Sequence, residues 1–146
     1  MILNTASSVI SLAKQLETDS AKFYEELSRK SEKNEKDSEL FLSFAKENKK
    51  FASQVERAYY SVITDAIEGC YAFQLETDKY TFDNSLPEGL SHSDVLNKAV
   101  EIEQTMVNFY SDAAEQSKTL MADVPRAFKV VEKKKNNRIT VLKSLL

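Results

Sequence analysis

Apolar and small residues at Val9, Ala13, Leu16, Ser20, Phe23 and Leu27 follow one another in alternating steps of four and three, the spacing of one face of an α-helix. The pattern predicts a first helix over about 5–30. Ser31 to Asp37 is polar and charged and reads as a turn. A second stripe, carried by Phe41, Phe44, Ala45, Phe51, Ala52, Val55, Tyr59 and Val62, predicts a helix over about 38–67. Between Gly69 and Ser91 the periodicity lapses. Both glycines and the first proline fall there, with Asp83 to Gly89 as turn chemistry, so a long connection over about 68–91 is expected. Ser91 followed by Asp94 reads as a capping box. It opens a third helix to about 118 on Val95, Ala99, Ile102, Met106, Phe109 and Ala113. Asp123 and Pro125 open a fourth, carried to about 145 by Phe128, Val131, Val141, Leu142 and Leu145. Short, long, short connectivity predicts an all-α chain: a four-helix bundle with one long crossover, in one domain over 1–146.

The two halves repeat. At an offset of 86, Val9, Ala13, Leu16, Glu17, Phe23, Tyr24 and Ser31 fall on Val95, Ala99, Ile102, Glu103, Phe109, Tyr110 and Ser117. Carried without a gap into the second helix of each pair, the same offset places Phe44, Ala45 and Val55 on Val130, Val131 and Val141. Glu17 and Glu103 lean toward the core side of their helices, each followed seven positions on by a tyrosine. Two carboxylates at equivalent depth call for a reason to be there.

Composition narrows the function. A net charge of −3 offers no basic footprint for nucleic acid, and Lys133, Lys134 and Lys135 point three ways from a helix. The single cysteine, Cys70, excludes an internal disulfide. With no basic-then-apolar leader and no apolar run of about 20 residues, a cytoplasmic protein that does not cross a membrane is expected.

On the Leu16-Glu17 to Phe23-Tyr24 element, its copy at Ile102-Glu103 to Phe109-Tyr110, and the Phe44-Ala45 and Val130-Val131 helices, the chain resembles the ferritin-like superfamily, in particular small rubrerythrin-type proteins without a rubredoxin domain. In that family one glutamate from each of the first and third helices and a Glu-x-x-His from each of the second and fourth hold two irons. Carboxylates neutralise and bridge the cations, and an imidazole one turn on completes each site. Glu17 and Glu103 match the single glutamates. The second-helix slot reads Asn48 and Phe51 and the fourth-helix slot Lys134 and Asn137, so both Glu-x-x-His pairs are replaced. The neighbouring acids Glu47 and Glu132 lie about 100° and 200° round their helices from these slots. The only histidine, His92, falls at the start of the third helix, at a surface position.

The resemblance therefore implies the fold with a degenerate di-iron site: no catalytic residues, no cofactor, and a structural, assembly or binding role as a homodimer. Its alternative is a divergent metal-binding oxidoreductase that retains iron. In the replaced site Lys134 is expected to aim between Glu17 and Glu103, with Asn48 and Asn137 as hydrogen-bonding groups. One cation between two carboxylates leaves one glutamate ionised and the other held upward. A further aromatic group, Tyr59, Tyr60, Tyr71, Phe73, Tyr80 and Phe82, reads as packing of the crossover over the helices.

Overall fold

A computed structural model describes residues 1–31, 33–62, 73–119 and 123–146. Four long helices account for most of it: α1 (Ala6–Lys30), α2 (Glu35–Val62), α3 (His92–Gln116) and α4 (Asp123–Ser144). Strand β1 (Ile2–Leu3) pairs antiparallel with β2 (Leu75–Glu76), and a 3₁₀ turn follows at Thr77–Tyr80. Among the described residues no helix is long and apolar enough to cross a membrane.

The helix starts have local causes. Thr5 accepts the amide of Ser8 at the head of α1, and Ser91 and Asp94 form a reciprocal capping box at the head of α3, each satisfying an otherwise orphaned N–H. Helix α2 starts three residues before the predicted Ser38. The reason is Asn34, whose side-chain oxygen accepts the Asp37 amide at 3.2 Å, the bond made by an N-capping asparagine. The far end of α2 predicted at 63–67, together with Cys70 and Tyr71, lies outside the described residues.

Helices α1 and α2 pack as one pair, α3 and α4 as another, and α2 against α4 joins them. The shared core draws on all four helices. The repeat is visible in its aromatic packing. Phe23 meets Tyr24 edge-on at 5.3 Å, and Phe109 meets Tyr110 edge-on at 5.1 Å. Tyr24 then lies 6.3 Å from Phe41, and Tyr110 lies 6.1 Å from Phe128. Those partners are 87 positions apart, not 86. Tyr24 and Phe41 are separated by 17 positions, Tyr110 and Phe128 by 18, so the second helix-to-helix connection holds one extra residue. The ungapped register is corrected accordingly: Val131 is the buried counterpart of Phe44, while Val130 and Val141 are exposed.

Residues 73–91 lie against α1 and α3. Gln74 and Gln116 exchange backbone and side-chain hydrogen bonds near the end of α3. Tyr80 donates to Asp112 at 2.5 Å, Asn84 reaches the Asp19 carbonyl, and Lys30 and Lys98 hold the carbonyls of Leu86 and Ser85. Phe73 and Tyr80 are buried here and Phe82 packs on the core. Tyr59 is also buried, whereas Tyr60 is exposed.

Candidate functional site: a buried ionic centre

Four helices bring eight polar side chains to the middle of the core. Helix α1 contributes Glu17, Ser20 and Tyr24, α2 contributes Asn48, and α3 contributes Glu103 and Tyr110; all are buried. The cations from α4 are Lys135, wholly buried, and Arg138, 2% exposed. Lys134 and Asn137, expected here from the sequence, point to the surface instead. The extra residue before α4 rotates every side chain by about 100° relative to the ungapped register. Asn48 and Phe51 are therefore matched by Lys135 and Arg138.

The network crosses between the repeats. Tyr24 donates to Glu103 Oε1 at 2.8 Å, and Tyr110 donates to Glu17 Oε1 at 2.9 Å. Each tyrosine thus serves the glutamate of the other half. Lys135 Nζ lies 3.0 and 3.2 Å from the two oxygens of Glu17 and donates to Asn48 Oδ1 at 3.2 Å. It faces Glu103 Oε2 at 3.8 Å, an ion pair without a hydrogen bond. Arg138 Nη1 donates to Asn48 Oδ1 at 2.6 Å and Glu103 Oε1 at 3.0 Å, while Nη2 donates to Glu47 Oε1 at 2.6 Å. Asn48 closes the ring by donating to Ser20 at 2.9 Å. Two buried polar atoms have no hydrogen-bond partner among the described residues, Glu103 Oε2 and Arg138 Nε.

Phe51 stands at the slot where the resemblance places a histidine, and its ring centroid is 5.0 Å from Lys135 Nζ and 5.5 Å from the Arg138 guanidinium. Phe44 receives the same guanidinium at 4.4 Å. Both rings present π faces to desolvated cations, a favourable contact of roughly 2 kcal/mol in such surroundings.

The two carboxylates differ. Burial is the largest influence on Glu17 and leaves its carboxyl above the ordinary range, despite the opposing charge of Lys135. Burial acts as strongly as any single influence on Glu103, but Lys135 and Arg138 together with the Tyr24 hydrogen bond outweigh it and hold that carboxyl below the ordinary range. Burial, with Glu103 and Glu17 beside them, pushes Tyr24 and Tyr110 well above the usual phenol value. Glu103 raises Arg138 against the effect of its own burial. The expectation of one cation for two carboxylates is thus corrected to two cations for two, and the asymmetry comes from Arg138 sitting on the Glu103 side.

The donor set does not fit a pair of divalent ions. Three of the four carboxylate oxygens accept hydrogen bonds from tyrosine, lysine or arginine, and the fourth faces an ammonium. A divalent ion between Glu17 and Glu103 would lie within a few ångströms of two fixed cations, a strong repulsion in so dry a site. Among the described residues no group of three or more His, Cys, Asp or Glu side chains is placed to hold a metal. No protein-family model matches the chain, nor does any curated protein or solved structure. The repeat signalled Glu17 and Glu103 with Tyr24 and Tyr110, and Asn48 stands in the centre as expected. Lys135 and Arg138 were legible only to a comparison that allowed one extra residue before α4.

Proposed function

We propose that the chain is a ferritin-like, rubrerythrin-type bundle in which residues 73–91 belong to the long crossover and fixed ion pairs have replaced metal chemistry. Its role is structural, in assembly or binding, as a cytoplasmic homodimer. One observation carries this reading: Lys135 and Arg138, one turn apart on α4, place their charged groups on Glu17 and Glu103. That is the spacing of the family's Glu-x-x-His pair, with cations in place of a carboxylate and an imidazole. The equivalent α2 slots hold Asn48, which accepts from both cations, and Phe51, which faces both.

The competing reading is a divergent metal-binding oxidoreductase; Glu103 Oε2, buried and without a hydrogen bond, is the atom that favours it. Elemental analysis of protein from iron- and manganese-supplemented cells separates the two. The proposal expects substoichiometric metal, unchanged in Glu17→Gln and Glu103→Gln. Near-stoichiometric iron or manganese that disappears in those variants overturns it. The quadruple variant Asn48→Glu, Phe51→His, Lys135→Glu, Arg138→His restores both motif pairs and should gain iron binding.

A further inference from the structure

The outer edge of the ionic centre opens into a groove between α2 and α4. It contains a cavity of about 500 Å³ lined by Ser43, Lys46, Glu47, Lys50, Gln54 and Lys134, with Phe51 as its apolar wall. A second cavity of about 240 Å³ continues from it, sharing Glu47 and Lys134 and reaching Arg138. Lys46 and Lys50 are one turn apart on α2, where like charges repel, and Lys134 faces them from α4. None of the three makes an ion pair or hydrogen bond with a described residue, while Lys49, between them in sequence, turns away to pair with Glu25. The Lys134 ammonium lies 5.7 Å from the Phe51 ring. The only acid lining the cavity is Glu47, and its carboxylate is already held by Arg138 at 2.6 Å.

We propose that this groove binds a small phosphorylated anion. Three uncommitted ammonium groups converge from two helices on one concave wall of a chain whose net charge is −3. With Glu47 already paired to Arg138, the wall carries an excess of positive charge, and a concavity of one predominant sign focuses its potential on a counter-ion. Lysines act on phosphate as point charges and need no fixed fork geometry. Gln54 adds an amide donor for the oxygens of a phosphate or its ester. The volume falls in the range of pockets that enclose small organic ligands. Glu47 sits at the junction of the two cavities as a competing internal anion, so an incoming phosphate meets its repulsion before reaching Arg138. This proposal does not depend on the ancestry of the buried centre.

The test is titration of the intact protein at low ionic strength with inorganic phosphate, pyrophosphate and glucose 6-phosphate, followed by calorimetry and by backbone amide shifts. The expected result is saturable binding of at least one probe, weakened by salt, with shifts at Lys46, Lys50 and Lys134. Lys50→Gln and Lys134→Gln should each lower the affinity about tenfold, as loss of one close charge–charge contact predicts. Glu47→Gln should raise it. Tighter binding of glucose 6-phosphate than of inorganic phosphate assigns the groove to phosphate esters, and the reverse order assigns it to the free ion. Absence of saturation with all three probes, or binding that Lys50→Gln and Lys134→Gln leave unchanged, overturns the proposal.

Discussion

Lys135 and Lys134 are neighbours in sequence with opposite surroundings, and the difference is measurable. Lys135→Met leaves Glu17 without its cation, and breaking a buried pair in this way costs about 3–5 kcal/mol. Lys134 is exposed, and Lys134→Met should change stability by no more than about 0.5 kcal/mol. The loss in Lys135→Met should shrink in acid, where Glu17 protonates. Thermal melts of both variants from neutral to acid pH check this; equal effects at neutral pH would contradict the assigned register. The two glutamates should also titrate in opposite senses. Glu17 is raised on folding, so its contribution to stability is complete below the ordinary carboxylate range and is lost as pH rises through its folded value. Glu103 is lowered; its contribution is present above the ordinary range and is lost as pH falls through its folded value. Near neutral pH, Glu103→Gln should therefore destabilise more than Glu17→Gln, with the gap closing as the solution is acidified. Denaturant melts of both variants at several pH values provide the comparison.

Helix α4 explains why its register was hard to read. Its core stripe is Phe128, Val131, Lys135, Arg138 and Leu142, all buried, two of them charged. Beside it runs Val130, Lys134, Asn137 and Val141, spaced four, three and four and closed at both ends by valine. Hydrophobicity alone cannot rank a stripe that buries two cations below one that exposes two valines. The aromatic pattern does better, because Phe41 and Phe128 fix the offset at 87. The α1 and α3 faces were legible for the converse reason: apart from one glutamate in each and Ser20 and Ser28 in α1, their core positions are apolar or aromatic. Substitution of aspartate at two adjacent positions tests the rotation. Val131→Asp puts a charge at a fully buried site and should prevent stable folding, whereas Val130→Asp, at a site 43% exposed, should leave the melting temperature nearly unchanged. A third element-scale expectation concerns the head of α3, where Ser91→Ala removes the cap from the Asp94 amide and should cost about 1 kcal/mol.

At the scale of the molecule, the ionic centre ties one helix pair to the other. Tyr24 and Tyr110 reach across in opposite directions, Lys135 spans to Glu17 and Asn48, and Arg138 spans to Asn48 and Glu47. Each bond is directional, and slippage of one pair along the other by a turn would break them together. Apolar packing supplies most of the cohesion but little of this discrimination, because the two halves present similar aromatic faces at similar depth. Burying these charges carries a desolvation cost that their mutual attraction only partly offsets. The centre should therefore contribute more to a unique arrangement of the pairs than to net stability. Removing one partner does not test that idea, since it leaves an uncompensated charge. Removing the buried network as a whole does: Glu17→Leu, Ser20→Ala, Tyr24→Phe, Asn48→Leu, Glu103→Leu, Tyr110→Phe, Lys135→Met and Arg138→Met together replace it with apolar side chains of comparable size. The combined variant should be as stable as the parent or more so, by about 1–4 kcal/mol, while its amide spectra show peak doubling or broadening and its core amides exchange faster than its melting temperature implies. A variant with a single sharp set of resonances would show that packing alone sets the register, and the directional network would then lose its proposed role.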